Sequence, residues 1–554
     1  MDGAGGGAGD GGVETAPADA ADPSSALFDP NHIVEVHIDM AAADWDVLRN
    51  QTRDLWDILG GDCVSAPFPS PFTYFPGTVT VDGQRLDNVG IKKKGFLGSL
   101  STTKPALKLK LDRNVDHQRV YGMDTLTLNN ARQDPAYVRQ CLSYAAFTRA
   151  GLAAPRCNFA HVVVNDVNLG LYVNVESVDK DFLRRHFADV TGNLYEGTLS
   201  DFDPTFLNTF DLKTNEALND RSDLAAVSAA LTAPDAELAA RLDPLIDMPE
   251  YYDYWAMESI VRQWDGYANN TNNFFVYHDP GTGRFSFLPW GIDGSLDANA
   301  GGADGPVVIL NKADLARRLY AIPATRDRYV DRIRALLDVA FVEADVLREI
   351  DRMQPLVSPV VPAAEVAALR TALDGLRAFV RGRRPAVLAE LAALPPVNTD
   401  LRKAPCLKPI GTIAGSFSTT WDTLAAANPF TAGTGTLTAT VAGAPLAIDM
   451  VGTTAGTDTT GDDGPRTGIN VIVHLTDGSY AAAALRLVPR AYLPGVTLPF
   501  DLSVTTGFLV RFDGATTTPL GLFGQGTLQL TAAGSTPGAA VKGSFSAELV
   551  DWPF

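Results

Sequence analysis

The chain has 554 residues, a net charge of −20, and 46% apolar against 20% charged residues. Its length exceeds the ~250–300 residues at which a single core stops growing, so two or more domains are expected. An acidic surface repels phosphate backbones, which argues against a nucleic-acid partner, and no run of ~18 apolar residues is present to cross a membrane. The cysteines, Cys63, Cys141, Cys157 and Cys406, form no CxxC pair, which argues against structural zinc. Cys141 and Cys157 are near enough in sequence to bridge; four buried thiols is the equal alternative.

Residues 1–27 begin MDGAGGGAGDGG, lack an apolar signal core, and read as a flexible Gly/Ala/Asp-rich linker. Such a tether follows a cleaved signal or lipid anchor, and an ordinary disordered terminus has the same composition. Residues 28–178 read as strand-rich with one helix. HIVEVHIDM alternates as a strand does. GTVTVDGQRLDNVGIKKKG holds two strands about an Asp82-Gly83 turn. PALKLKLD puts Leu107, Leu109 and Leu111 on one face and Lys108 and Lys110 on the other. DPAYVRQCLSYAAFTRAG predicts a helix with Asp134 as cap, Pro135 at its first position and Gly151 at its end. HVVVNDVNLGLYVNVE gives two more strands about Asn165-Asp166.

Residues 179–398 turn helical, with 3.6-type spacing in MPEYYDYWAMESIVRQW, TRDRYVDRIRALLDVAF and later segments. One hairpin, NNFFVYHDPGTGRFSFLPW, interrupts them. A Pro-rich linker at Pro395–Lys403 marks a boundary. Residues 405–554 are rich in Thr, Gly, Ala and Val and carry short recurring strands, which predicts an all-β sandwich or jelly roll. Within it, DTTGDDGPRTG, with Asp458, Asp462 and Asp463, is an acidic loop that reads as solvated in preference to calcium-binding.

Chemistry concentrates at the junction of the first two regions. In QWDGYANNTNN, Asp265 follows a long helix and Asn270 comes five residues later. A phosphoryl-transfer site needs a carboxylate at the acceptor, hard oxygen ligands for Mg²⁺, and a cation at the phosphates. Asp-to-Asn at this spacing supplies the first two in a kinase catalytic loop. FLPWGIDGSLD then ends a hydrophobic strand beside Asp293 and Asp297. Asp293 sits where a metal-binding Asp would, and a plain surface turn is the other reading of Asp293 and Asp297; the resemblance below favours Asp293 as the ligand and leaves Asp297 as polar surface.

These residues resemble the spore-coat protein H (CotH) kinases, a family of atypical secreted kinases, over roughly residues 28–394. The resemblance is carried by VGIKKKG with KPALKLKLD, by the stretch from LTLNNARQDPAYVRQCL through NVESVDKDFLRRHF, and by WDGYANNTNNFFVYHDPGTGRFSFLPWGID. It implies an α+β, bilobal, atypical protein-kinase-like fold followed by the all-β domain, and ATP with Mg²⁺ (or Mn²⁺) as cofactors. It implies transfer of the γ-phosphate to Ser or Thr of secreted or cell-surface proteins. Carried over by position, Asp265 is the catalytic carboxylate, and Asn270 or Asn273 joins Asp293 at the metal. Lys108, with Lys110 second, reaches the phosphates, and Glu176 ends the strand that seats the nucleotide.

Two positions depart from the family pattern. Gly291 stands where many members have the first Asp of Trp-Asp-x-Asp, and Gln140 stands where a helix Glu pairs with the strand Lys. Gln can hydrogen-bond a lysine but cannot neutralise it. A second reading therefore stands beside the enzyme: a catalytically silent kinase-fold scaffold whose β domain binds an envelope polymer or a protein.

Overall fold

The computed structural model describes residues 22–53, 55–96, 98–298, 308–459, 465–501, 504–513 and 516–551. Most of the expected linker, residues 1–21, and Asp462 and Asp463 of the acidic loop lie outside the described residues.

The N-terminal lobe is a closed barrel of β1 (Ile33–Asp39), β2 (Phe75–Val81), β3 (Gln84–Lys94), β4 (Ala106–Lys110), β5 (Thr125–Asn129), β6 (Cys157–Val164) and β7 (Val167–Val175), in the order β1-β2-β3-β4-β5-β7-β6. Alternation builds it. Val34, Val36, Ile38, Leu107, Leu109, Leu126, Leu128, Val162 and Val164 all point into one core. The hairpin turns fall where the sequence placed them: Asp82 and Gly83, and Asn165 and Asp166, all have positive φ, as a two-residue turn matched to strand twist requires. The closing pair, β1 with β6, is parallel, a non-local contact that local pattern does not announce.

The helix after β5 runs Arg139–Arg149, starting later than Pro135. Tyr137 has φ 62, which breaks the helical path. Asp134 instead ties down the preceding turn, accepting from the backbone N–H of Ala136 at 3.0 Å and of Arg139 at 2.8 Å. Gly151, at φ 84, ends the helix as expected. The helix packs into the core of the second lobe, and the Cys141–Cys157 disulfide fastens it to β6.

In the second lobe, β8 (Asn193–Gly197), β9 (Asp211–Leu212), β10 (Phe274–Asp279) and β11 (Arg284–Pro289) form a sheet in the order β11-β10-β8-β9. The β10–β11 hairpin was expected; β8 and β9 are too short to stand out from helical surroundings. The helix Met248–Val261 is buried almost all round. Arg383, on the helix Val366–Ala392 and only 2% exposed, donates to the carbonyls of Ser259 and Ile260 at its C-terminal end.

The C-terminal domain is all-β, but its layers are one sheet. It comprises β12 (Pro409–Thr420), β13 (Gly433–Val441), β14 (Ala444–Pro445), β15 (Ile448–Asp458), β16 (Arg466–Leu475), β17 (Tyr480–Leu487), β18 (Thr497–Pro499), β19 (Thr505–Phe512), β20 (Thr517–Ala533) and β21 (Ala540–Val550). The order β14-β13-β12-β21-β20-β19-β17-β16-β15, with β18 on β20, curls so that β15 packs back against β12 and β13. The apolar faces enclosed between the two halves form the core. Asp458, at the edge of the acidic loop, pairs with Arg486.

This domain is joined to the rest of the chain. Cys63 is disulfide-bonded to Cys406, and the Leu407 N–H donates to the Leu59 carbonyl at 2.6 Å. Ile58, Leu59 and Leu199 share one small core with Leu407, Leu522 and Val550. Trypsin cleavage after exposed Lys403 should therefore leave two resistant fragments that migrate together on a non-reducing gel and separate only with reductant. Separation without reductant would contradict the Cys63–Cys406 link.

Candidate functional site

The helix Met248–Val261 stops at Arg262, which is left-handed at φ 55. The chain turns, and a short helix, Tyr267–Asn270, follows. Asp265 sits in that turn within a cluster of amides. Its Oδ1 accepts from Asn270 Nδ2 at 2.6 Å, its Oδ2 from Asn273 Nδ2 at 2.6 Å, and Asn272 Nδ2 reaches both oxygens at 3.2 Å. Both expected asparagines thus meet Asp265, and Asn272 is an addition. Asn273 has φ of 52, a region asparagine tolerates, whereas Thr271, at φ 51, is a β-branched residue held where such residues rarely go. Burial pushes the Asp265 carboxyl up to about 6; Asn270 and Asn272 oppose that shift and Asp293 adds to it.

Asp293 arrives from the other side. Strand β11 ends at Pro289, Gly291 is left-handed at φ 52, and a single 3₁₀ turn, Ile292–Gly294, carries the carboxylate. Among the described residues its side chain makes no hydrogen bond or ion pair to another residue. Burial pushes its pKa up, while the charges of Lys94 and Arg139 work against that. Gly291 has a steric reason. A Cβ there would lie 2.5 Å from Asn273 Oδ1, so an Asp at this position has no room while Asn273 holds Asp265. Asp297 is not plain surface: its Oδ2 accepts from Arg139 Nη1 at 2.9 Å, which fastens the segment to the helix Arg139–Arg149. Ser143 and Ser295, hydroxyl to hydroxyl at 2.8 Å, make a second fastening.

The barrel supplies the cations. Strand pairing sets Lys92 opposite Lys108 and Lys94 opposite Ala106, so period two brings Lys92, Lys94 and Lys108 to one face. Lys93 points the other way and caps the carbonyls of Arg49 and Gln51. Lys94 lies deepest. Its Nζ donates to Asn129 Oδ1 at 2.6 Å and sits 5.3 Å from the centre of the Trp290 ring. Burial, then the charge of Lys108, pushes Lys94 down to about 8, against Asp293 and Glu196. Burial and Lys108 also take Lys92 down to about 8, and burial lowers Lys108 itself. The acidic counterpart on β8, Glu196, is shared with Lys213 at 2.7 Å.

The geometry adds one lysine to the expected set. Lys94, which sequence reasoning passed over, is the lysine linked to the helix: Asn129 Nδ2 donates to Gln140 Oε1 at 3.0 Å, giving a relay Lys94–Asn129–Gln140 where a direct hydrogen bond from Gln140 to the strand lysine was expected. Strand phase is what identifies it, because Lys94 lies two residues from Lys92 and so shares its face of β3. Lys110, the second lysine expected at the phosphates, pairs with Asp112 and Asp124, each at 3.0 Å. The Glu176 carboxylate is fully buried and pairs with Arg156, through both N–H and guanidinium, and with Arg185, so its side chain bolts the end of β7.

Asp265, Asp293 and the amide oxygens of Asn270 and Asn273 are hard donors of the kind Mg²⁺ and Mn²⁺ take. The half-buried carboxylate of Asp293, with no hydrogen bond or ion pair to another described residue, fits a cation. Among the described residues no group of three or more His, Cys, Asp or Glu forms a cage. Gly291→Ala should lower stability by roughly 1–2 kcal/mol through its left-handed backbone alone, and more where Asn273 must move. A melting temperature equal to wild type would show that this turn is not constrained as described.

A family model described as CotH kinase protein matches residues 91–381, more than half of the chain. The inner spore coat protein H of Bacillus subtilis (strain 168) is 24% identical over 254 residues, 43% of this chain and 69% of that protein. An inner spore coat protein H-like protein of the same organism is 23% identical over 280 residues, 48% of this chain and 80% of that one. Among solved structures, Shewanella oneidensis MR-1 HipA, in complex with HipB and operator DNA, aligns with TM-score 0.31 at 11% identity over 55% of this chain and 68% of its own. The Helicobacter pylori proinflammatory kinase CtkA aligns with TM-score 0.29 at 11% identity over 55% of this chain and 95% of its own. Scores this low leave the fold to be judged from the topology itself.

Proposed function

The chain belongs to the CotH kinase family, and from that premise we propose that it is an active protein kinase, transferring the ATP γ-phosphoryl group to Ser or Thr hydroxyls of extracytoplasmic proteins. One observation carries the reading. Lys92, Lys94 and Lys108 crowd a partly desolvated face, and Asp293, among the residues described, stands opposite without a partner. Like charges held together in low dielectric repel, and a polyphosphate with a divalent cation relieves both sides at once.

The residues divide the work. Asp265, ionised at neutral pH and held by three asparagines, orients the acceptor hydroxyl and takes its proton. Asp293 with Asn270 or Asn273 would hold Mg²⁺ or Mn²⁺, which when bound neutralises developing phosphate charge. Lys94 and Lys108 hold the phosphates. Transfer breaks the bond from the γ-phosphorus to the β–γ bridging oxygen and forms the ester to the acceptor oxygen, leaving ADP. Two disulfides, Cys63–Cys406 and Cys141–Cys157, support an oxidising, extracytoplasmic setting, as do relatives named for the spore coat. No helix among the described residues is long and apolar enough to cross a membrane. The β domain, held beside the kinase lobes, would present a protein partner or an envelope polymer.

Calorimetry with Mg·ATP and transfer of labelled phosphate to a Ser-rich peptide test the assignment. Asp293→Ala should weaken Mg·ATP binding by at least ~1.4 kcal/mol, a tenfold change, whereas Asp265→Ala should keep binding and lose transfer. Lys94→Ala should weaken nucleotide binding about tenfold while Lys110→Ala leaves it unchanged. Equal affinity in wild type and Asp293→Ala would move the metal elsewhere. Nucleotide binding without transfer by the wild type would favour the silent scaffold.

A further inference from the structure

We infer that Glu258 is a positioning residue: its buried carboxylate clamps the backbone of the Asp265 loop and so sets the acceptor side of the site. The inference rests on the kinase reading above for its catalytic consequence, and on geometry alone for the clamp.

Glu258 lies on the inner face of the helix Met248–Val261 and is 1% exposed. A carboxylate buried that far costs several kcal/mol unless its oxygens are satisfied. Here they are satisfied by the loop. Oε1 accepts from the Tyr267 N–H at 2.8 Å and the Tyr254 hydroxyl at 2.9 Å, and Oε2 accepts from the Ala268 N–H at 2.9 Å. Tyr267 and Ala268 open the short helix Tyr267–Asn270, where backbone N–H groups have no intrahelical partner. No side chain at Gly266 caps them, so Glu258 does so from nine and ten residues away. Gly266 is part of the same device. A Cβ on it would lie 2.1 Å from Glu258 Oε1, so the carboxylate fills the space that any other residue would need.

The clamped backbone separates Asp265 from Asn270. With Tyr267 and Ala268 fixed, the Asn270 amide reaches Asp265 at 2.6 Å; the carbonyls of the same segment are tied separately, Ala268 to the Lys312 N–H and Thr271 to the Ser200 N–H, each at 2.8 Å, so Glu258 is what holds its N–H side. Burial pushes the Glu258 carboxyl up to about 7, opposed by Ala268, Tyr254 and Tyr267 in that order. The phenols of Tyr251 and Tyr329 face the same space. No cation is among the groups that shift Glu258, so N–H and O–H donors hold the carboxylate.

The test uses the full-length protein and two kinds of readout. Glu258→Gln is nearly isosteric but turns an NH₂ group toward one of the two amides, so one clamp bond is lost. Amide exchange at Tyr267 and Ala268 should quicken at least about tenfold, with no change in barrel strands such as β4. Transfer kcat should fall at least about tenfold while KM for Mg·ATP stays within about twofold. Gly266→Ala should reproduce both effects, and it carries the same test if Glu258→Gln does not fold. Tyr254→Phe removes a donor from Glu258 but no loop contact, and should leave exchange and kcat near wild type. Unchanged exchange in Glu258→Gln and Gly266→Ala, or a Tyr254→Phe as impaired as they are, would overturn the clamp. Absence of transfer by the wild type would overturn the kinase reading instead, and the exchange rates would still decide the role of Glu258.

Discussion

Lys92, Lys94 and Lys108 are brought to one face of a barrel by nothing more than strand alternation and register, and burial there lowers the pKa of all three. Opposite them, burial raises Asp265 and Asp293. The junction of the lobes therefore holds charge of both signs at a cost in desolvation, without letting the two sides collapse into short ion pairs. Asp265 is kept apart by its asparagines, Asp293 by its position on a tight turn, and Lys94 by Asn129. Charges held apart in this way suit a bound partner that carries both signs, such as a metal–nucleotide pair.

The supporting elements follow from that arrangement. The barrel is closed, which leaves no edge strand to disturb the lysine face. The helix Arg139–Arg149 belongs to the core of the second lobe, is fastened to β6 by Cys141–Cys157, and meets the Asp293 segment through Arg139–Asp297 and Ser143–Ser295. It couples the Lys94 side, through Gln140 and Asn129, to the Asp293 segment. The β domain shares a core with Leu199 just after β8, and Ser200, next in sequence, donates its N–H to the Thr271 carbonyl in the Asp265 loop. A domain that composition marks as separate is thus two residues removed from the site.

Much of this was legible in the sequence, and the failures have physical causes. Hairpins at Asp82-Gly83 and Asn165-Asp166 were readable because turn chemistry is local. So was the face of β4, because alternation is local too. Asp265, Asn270, Asn273 and Asp293 came from spacing together with family pattern, and the fold does bring them together. Lys94 was missed since a run of three lysines hides which of them face inward until the strand's phase is known. The ion pairs of Lys110 with Asp124, and of Glu176 with Arg156 and Arg185, were not legible because tertiary structure brings those partners together. Glu258 sat unnoticed in a helix of aromatic residues, where a lone buried charge is the signal to follow. The Cys63–Cys406 bridge spans 343 residues, beyond any spacing argument.

The central claim is that this cleft takes a divalent cation on Asp293 and a triphosphate on the lysine face. A crystal of the full-length protein grown with Mn²⁺ and a non-hydrolysable ATP analogue tests it most directly, because manganese is located by its anomalous scattering. The account predicts one strong peak bonded to Asp293 and to an asparagine of the Asp265 loop, with the phosphates against Lys94 and Lys108. Manganese held elsewhere, or a nucleotide seated away from those lysines, would contradict it.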